Sequence, residues 1–199
     1  MSSKSFNIVI KRKISPFIKT IKVDSDKSIS IRSFLIAAIS QNISSVENIL
    51  ESEDVKSTII CLKKLGVKIK RIKKGNFLIY GKGLGSLNMN KKIKLNFGNS
   101  GTLARLLIGL LSTTPDVELK ITGDESLNKR SMKKLIDLMN QFGAFFFPKG
   151  KFNFPLKIIS SNMPIGIDYN AGVSAQLKSA VILAGLNSYG ETNILELKR

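Results

Sequence analysis

Three short stretches decide the fold of this chain: Asp26-Lys27-Ser28-Ile29-Ser30-Ile31-Arg32, Asn99-Ser100-Gly101-Thr102-Leu103-Ala104-Arg105 and Ser174-Ala175-Gln176-Leu177-Lys178. Each places a small polar cluster at the predicted start of a helix and a basic side chain about one turn later. The corresponding serines lie 72 and 74 residues apart, which predicts a repeated structural unit. Because helix starts present unpaired N–H groups and the positive end of the dipole, three of them with nearby cations predict one shared anion site.

Hydrophobic periodicity predicts βαβαββ units between these stretches, in an α/β (α+β) chain. The first unit, about residues 20–81, is predicted to contain strands 20–23, 44–50, 67–72 and 77–80 and helices 28–41 and 53–65, the latter between Ser52 as N-cap and Gly66. The second, about 92–160, is predicted to contain strands 93–97, 117–122, 144–147 and 154–160 and helices 101–112 and 127–142. The third, 165–199, has strands 165–169 and 192–197 around helix 174–186, and lacks its second helix and hairpin.

The predicted domain organisation has two parts. Residues 1–19 form a lead-in that belongs to no unit and is expected to pair with a second domain. Residues 20–199 form a substrate-binding domain of three units, the last one truncated.

Composition excludes several classes of protein. Of the 199 residues 43% are apolar, enough for a sizeable core. The longest apolar runs are far shorter than the roughly 18 residues of a membrane span, and the amino terminus has no secretory signal pattern, so we expect a soluble, cytoplasmic protein. The chain has no histidine and one cysteine, Cys61, so ordinary zinc sites, histidine catalysis and internal disulfides are excluded. Cys61 lies on an apolar helix face and is predicted to be buried and inert.

The net charge of +18 favours an anionic partner, which could be nucleic acid, a membrane surface or a small substrate. Much of this charge is lysine and fits compositional bias on solvated faces. Arginine is scarce, yet three of the six arginines, Arg32, Arg105 and Arg130, lie in or beside the motifs. Arginine used this way suits planar recognition of phosphate or carboxylate.

The motif residues have structural interpretations beside the functional ones. Ser28 suits a helix cap, but a lysine at 27, just before a helix N-terminus, needs an anion to neutralise it. The glycines around Gly101 suit either a tight turn or close backbone approach to phosphate. Arg130 lies in the early turns of predicted helix 127–142, where the dipole disfavours a cation. Ser174 and Gln176 combine a hydroxyl and an amide, which suit a polyhydroxylated ligand.

Together these strings resemble the 5-enolpyruvylshikimate 3-phosphate synthase family. The strings are Asp26 to Arg32, Gly98 to Thr102, Gly123 to Arg130 and Ser174 to Ala180, and they occur in the family's order and spacing over most of the chain. The resemblance implies a two-domain enzyme with substrates in the cleft between the domains. Each domain would be an enolpyruvyl transferase-like inverse α/β barrel built from three βαβαββ units. This chain resembles the amino-terminal half.

The resemblance also implies the activity and the site. The family transfers the enolpyruvyl group of phosphoenolpyruvate to the 5-hydroxyl of shikimate 3-phosphate and releases phosphate, without a metal or organic cofactor. By analogy, Lys27 would be catalytic and touch both ligands. Shikimate 3-phosphate would be held by Ser28, Arg32, Ser174 and Gln176. Gln176 would also reach phosphoenolpyruvate, whose site Gly101 and Arg130 would line.

Departures and alternatives stay open at this point. Ile31 and Ser131 replace the family's usual His and Pro, and the remaining catalytic residues would lie in a missing carboxy-terminal half supplied in cis or in trans. We therefore expect the chain alone to turn over poorly, and the complete protein to be monomeric, without specific nucleic-acid or membrane partners. The alternatives are a UDP-N-acetylglucosamine enolpyruvyl transferase-like enzyme, a basic nucleic-acid-binding module, or an incompletely folding remnant.

Overall fold

The computed structural model of the chain describes residues 25–87 and 93–196. Its helices are α1 (Lys27–Ile39), α2 (Glu53–Lys64), α3 (Gly101–Thr113), α4 (Glu125–Lys129), α5 (Lys133–Gln141) and α6 (Ala175–Gly185). Its strands are β1 (Ile43–Val46), β2 (Lys68–Lys73), β3 (Asn76–Tyr80), β4 (Lys94–Asn96), β5 (Glu118–Thr122), β6 (Phe145–Phe147), β7 (Leu156–Ile159), β8 (Asp168–Ala171) and β9 (Asn193–Glu196). The lead-in 1–19 and the predicted strand 20–23 lie outside the described residues, so the domain division stays a prediction.

The sheets follow the repeat. In the second unit the order is β4-β5-β7-β6, with β4 and β5 parallel and the hairpin strands β6 and β7 antiparallel. Strand β7 also pairs antiparallel with β5. The first unit has the order β1-β3-β2, so its last strand, β3, pairs antiparallel with β1 just as β7 pairs with β5. The third unit contributes the parallel pair β8 and β9. The repeated βαβαββ order is therefore present, with the third unit incomplete among the described residues.

The repeat is exact at the helix starts. The N-caps of α1, α3 and α6 are Asp26, Ser100 and Ser174, which lie 74 and 74 residues apart. Each cap side chain accepts a hydrogen bond from the backbone N–H three residues later, which satisfies one exposed donor of its helix. The cap of α1 is thus the aspartate, and not Ser28.

Helix α3 is the centre of the core. It packs against α1, α2, α5 and α6, and all its residues except Arg105 are buried. The closest approach is to α6, because a Cβ on Gly109 would lie 2.5 Å from the carbonyl oxygen of Ala180. Glycine at this position allows the two helix backbones to touch.

Two amphipathic helices cover the grooves between these core helices. Helix α2 packs on α1 and α3, and α5 packs on α3 and α6. The buried face of α2 is Val55, Thr58, Cys61 and Leu62, while that of α5 is Leu135, Ile136, Leu138 and Met139. Charged residues occupy the opposite faces, the pattern of helices that lie on a core surface.

Several predictions are wrong in detail. The strands predicted at 44–50 and 165–169 are observed as β1 (Ile43–Val46) and β8 (Asp168–Ala171). The predicted helix 127–142 is two helices, because Arg130 is extended (φ −79°, ψ 134°) and the N–H of Met132 donates to the carbonyl of Phe152 at 2.6 Å. Phe145, expected in a core strand, is 56% exposed, whereas the next residue in β6 is buried. In the described ranges, no helix combines the length and apolar character needed to cross a membrane.

Candidate functional site

The start of α1 holds Lys27, the first residue of the helix. Its ammonium is about half exposed and forms an ion pair with Asp54 of α2, with Nζ and Oδ2 3.0 Å apart. The sequence indicated that a cation here needs an anion, and in the structure Asp54 is this anion. Since both side chains reach solvent, the pair contributes little to stability and Lys27 remains available to a stronger anion.

One turn further along α1, Arg32 connects the first helix start to the third. Its Nη1 donates to the backbone carbonyl of Ser28 at 3.1 Å, and its Nη2 donates to Ser179 Oγ of α6 at 3.0 Å. Both acceptors are neutral. The guanidinium is therefore positioned by two helices without being paired to an acidic side chain in these contacts.

At the start of α3, the guanidinium groups of Arg105 and Arg130 both lie close to Gly101. A Cβ on Gly101 would lie 2.8 Å from Nη1 of Arg105 and 3.4 Å from Nη1 of Arg130. Burial lowers the pKa of Arg105, and the positive charge of Arg130 lowers that pKa further. Two cations close together at a helix start, where the dipole is also positive, favour a bound oxyanion.

The third start is joined to the second through Gln176. Its Oε1 accepts from Arg105 Nη1 at 3.0 Å, and its Nε2 donates to Thr102 Oγ1 at 3.1 Å. Arg105 Nη1 also donates to the carbonyl of Gly101 at 2.9 Å. Ser174 caps α6 just before Gln176, so its hydroxyl has a structural role already.

Arg130 lies at the end of α4 and contacts Asn99, the residue before the N-cap of α3. It donates from Nη2 to Asn99 Oδ1 at 2.9 Å and to Ser126 Oγ at 3.3 Å, and Asn99 Nδ2 donates to Asp124 Oδ2 at 2.8 Å. Arg130 is the C-cap of α4, so the argument that a helix dipole disfavours it is wrong. Its place beside Gly101 has a different cause, which is the break between α4 and α5.

The predicted site residues therefore fall into two connected groups. One contains Ser28 and Arg32 with α6, and the other contains Gly101, Arg130 and Gln176 around Arg105. Lys27 forms its ion pair with Asp54, and Ser174 lies at the cap beside Gln176.

Sequence reasoning named Arg105 as a cation of the second motif, but it did not include two of the other partners. Asp54 and Ser179 reach the site from other helices through contacts that span 27 and 147 residues of chain. No local pattern indicates such distant partners.

The chemistry of the site is that of cations, amides and backbone N–H groups. Across residues 25–87 and 93–196, His, Cys, Asp and Glu form no group of three or more that could hold a metal ion. Cys61 is fully buried and its thiol donates to the carbonyl of Asn96, and burial raises the pKa of this thiol to about 12, so it stays protonated. The arrangement is suited to binding and orienting an anionic ligand.

Known proteins resemble this chain over most of its length. A profile of the family described as EPSP synthase (3-phosphoshikimate 1-carboxyvinyltransferase) matches residues 11–199. The 3-phosphoshikimate 1-carboxyvinyltransferase of Paramagnetospirillum magneticum is 40% identical over 186 residues, which are 93% of this chain and 41% of that protein. The corresponding protein of Bacillus cytotoxicus is 43% identical over 181 residues, or 89% of this chain and 41% of the relative.

The solved structure of EPSP synthase from Acinetobacter baumannii superimposes with a TM-score of 0.82 at 36% identity, covering 90% of this chain and 40% of that one. At this identity and score the enolpyruvyl transferase-like fold is established, and the chain spans about 40% of the length of these relatives. The profile matches almost all of the chain, so the chain belongs to the EPSP synthase family.

Proposed function

We propose that this chain is the shikimate 3-phosphate-binding part of a 3-phosphoshikimate 1-carboxyvinyltransferase. In the complete enzyme, the enolpyruvyl group of phosphoenolpyruvate would pass to the 5-hydroxyl of shikimate 3-phosphate, and inorganic phosphate would leave. The remaining catalytic groups would come from the carboxy-terminal part that the relatives contain, in cis or in trans. We place the reaction in the cytoplasm, with small-molecule substrates and a monomeric complete enzyme.

The observation that carries this proposal is the junction of three helix starts by two arginines. Arg32 ties α1 to α6, and Arg105 ties α3 to α6 through Gln176. Each guanidinium is positioned by neutral oxygens, so its charge is left for a ligand. Two anionic substrates repel each other, and a site of fixed cations offsets this repulsion and orients them.

The proposed roles follow the two groups of the site. Ser28, Arg32, Ser174 and Gln176 hold shikimate 3-phosphate, and Gly101 and Arg130 line the site of phosphoenolpyruvate, which Gln176 also reaches. Lys27 acts as the catalytic cation that touches both ligands. For this role the ammonium exchanges Asp54 for the substrates, a change that an exposed ion pair allows at low cost.

The test is calorimetric titration of the 199-residue chain with shikimate 3-phosphate at two salt concentrations. We expect saturable binding at one site, weakened at least about tenfold by Arg32→Ala and by Lys27→Ala, since a hydrogen bond to a charged group is worth about 1.5 to 3 kcal/mol. Higher salt should weaken binding further by screening the +18 charge.

The matched control is Lys70→Ala, which removes an exposed lysine of β2 and should change the affinity less than about twofold. If Lys70→Ala weakened binding as much as Lys27→Ala, the affinity would come from the general charge and the proposal would be wrong. Absence of binding by a chain that melts cooperatively would contradict it as well.

A further inference from the structure

The sheet of the second unit has a buried face and an exposed face. Side chains alternate between the two faces along β4, β5, β7 and β6. The side chains that point into the core are Leu95, Ile121, Ile158 and Phe146. The side chains between them lie on the other face of the sheet, away from the core. These outer residues take no part in the contacts of the candidate site described above, so they form a separate surface.

Three lysines form a row across this outer face. The strand register places Lys94 of β4 beside Lys120 of β5, and Lys120 beside Lys157 of β7. Neighbouring strands are about 4.8 Å apart, so the Cα atoms of the row span roughly 10 Å. Like charges directly opposite each other on a sheet are destabilising. An anion that lies across the row would offset this repulsion.

The acidic side chains that the structure describes neutralise only one end of the row. Glu118 lies on the same face and pairs with Lys157, with Oε1 and Nζ 2.7 Å apart. Lys94 and Lys120 are exposed, and neither forms an ion pair with another described residue. Nζ of Lys64 on α2 donates to the carbonyl of Lys94 at 3.1 Å, which adds a cation beside the edge strand β4. The face therefore presents a line of positive charge.

Two aromatic side chains lie at the other end of the row, on β6. Phe147 is the register partner of Lys157 and is half-buried. Phe145 is on the same face two residues away, and its side chain is 56% exposed. Exposed rings beside cations on a sheet surface are the arrangement on which unpaired bases stack while the phosphates contact the cations. The outer face thus combines the two features that binding of a single strand needs.

The equivalent sheet of the first unit lacks this arrangement. All lysines of its strands lie on β2, since β1 and β3 contain none. The register partners of Lys68 and Lys70 are Tyr80 and Leu78, so no lysine faces another across the strands. Nζ of Lys68 lies 4.6 Å from the centroid of the Tyr80 ring and covers it. The lysine row is therefore a feature of one sheet and does not follow from the high lysine content alone.

We propose that the outer face of the β4-β5-β7-β6 sheet binds single-stranded nucleic acid without sequence preference. The phosphates lie along Lys94, Lys120 and Lys157, and an unpaired base stacks on Phe145. A duplex fits less well, because its bases are already stacked on each other. A membrane surface also fits less well, because the rings lie within a strand and not at a protruding loop. This function is additional to the substrate binding proposed above and does not depend on it.

The experiment is a fluorescence anisotropy titration of the 199-residue chain. One probe is a fluorescein-labelled oligouridylate, and the other is an RNA duplex of the same length at the same salt concentration. Attraction by the net charge of +18 alone favours the duplex, whose charge density is higher. Stacking favours the single strand, and one stacked base is sufficient for about a fivefold gain. We expect the oligouridylate to bind more tightly than the duplex.

Two variants test the two features separately. Phe145→Ala should weaken binding of the oligouridylate at least about fivefold and leave duplex binding within about twofold, because it removes a stacking surface and no charge. Lys120→Gln should reduce the slope of log K against log salt by about 0.7, the value for one phosphate contact of a single strand. Lys120→Gln should not reduce the stability of the chain, since it relieves repulsion within the row.

The matched controls lie on β2 in the sheet of the first unit. Ile72→Ala removes an apolar side chain that is 52% exposed, close to the exposure of Phe145. Lys70→Gln removes one exposed lysine. Each control should change the affinity for the oligouridylate less than about twofold, and Lys70→Gln should leave the salt slope unchanged. Circular dichroism should show all four variants folded.

Several results would overturn the proposal. If the duplex binds as tightly as the oligouridylate, or if Phe145→Ala behaves like Ile72→Ala, the affinity comes from general charge. If excess shikimate 3-phosphate displaces the oligouridylate at constant ionic strength, the strand occupies the candidate site and not the sheet. If the chain binds phosphatidylserine vesicles through Phe145 and leaves the oligouridylate unbound, the face belongs to a membrane contact.

Discussion

The second and third units place equivalent helices in different surroundings. In α3, twelve of thirteen residues are buried, whereas in α6 only five of eleven are. Both helices are rich in apolar residues and both begin with a serine cap. The middle strands differ likewise, because Ile121 of β5 is fully buried and Leu195 of β9 is 63% exposed.

The difference teaches that burial in this fold depends on how many elements pack around a helix. Helix α3 is covered because α1, α2, α5 and α6 all pack against it. Helix α6 has the same type of sequence, but it packs mainly against α3 and α5, and its Ile182 is 53% exposed. Apolar residues on all sides of a helix therefore indicate that other elements surround it in the folded protein.

The largest expected effect comes from truncating a leucine inside α3, compared with truncating the leucine that caps the C-terminal end of α6. Leu107→Ala in α3 should lower the free energy of unfolding by about 2 to 5 kcal/mol, because this leucine is fully buried. Leu186→Ala, where the side chain is 48% exposed, should cost roughly 1 kcal/mol or less. Urea unfolding of the two variants measures the difference. Equal losses would mean that α6 is as enclosed as α3.

The close backbone contact between α3 of the second unit and α6 of the third unit can be broken at Gly109. Gly109→Ala should destabilise the chain by about 1 to 3 kcal/mol, since the new Cβ meets the backbone of Ala180 and the helices must separate. Thermal unfolding followed by circular dichroism measures this cost. Gly172→Ala is the control, because a Cβ there meets no atom within 4 Å. A stabilised Gly109→Ala variant would show that helix propensity outweighs the close contact.

The hydrogen bonds of Gln176, which also join α3 and α6, are expected to contribute less to the free energy of unfolding. Gln176→Ala removes one of the two acceptors of Arg105 Nη1 and the donor to Thr102, and should lower the free energy of unfolding by about 1 to 2 kcal/mol. Gln141→Ala, on the exposed face of α5, should cost less than about 0.5 kcal/mol. Chemical denaturation of both variants gives the comparison, and a loss no larger than that of Gln141→Ala would refute the bridging role.

The smallest effect concerns Cys61 on the covering helix α2. Its thiol has a pKa raised by burial from 9.0 to about 12, so the folded chain keeps a proton that the unfolded chain loses above pH 9. Stability is therefore full below pH 9 and falls as the pH rises, by roughly 1 kcal/mol between pH 9 and 10. Denaturation of the wild type and of Cys61→Ala at both values isolates this contribution. If both lost stability equally, the thiol would not be responsible.

Periodicity and cap residues were enough to predict the repeated fold. The serine before Gly101, the acidic first turn of α2 and the glycine after it mark helix ends that the structure confirms. These signals are local, because a cap bonds to a backbone group within one turn. The same locality explains why the helix starts could be located before any tertiary contact was known.

The remaining features depend on contacts between distant parts of the chain. The break between α4 and α5 follows from the hydrogen bond of Met132 to Phe152 in the β6–β7 hairpin, which overrides a continuous helical pattern. The partner of Lys27 is Asp54, which sequence reasoning assigned to the start of another helix. Arg105 occurs in the opening motif, but its link to Gln176 exists because α3 and α6 pack closely.

The enclosed position of α3 also determines where the chain can move. Since α1, α2, α5 and α6 all contact this helix, local fluctuations that release one of them leave the others in place. Its amide protons should therefore exchange with solvent only when the whole domain unfolds. Arg105 extends from this helix, so the guanidinium that joins the second and third helix starts is carried by the element that we expect to exchange most slowly among the described residues.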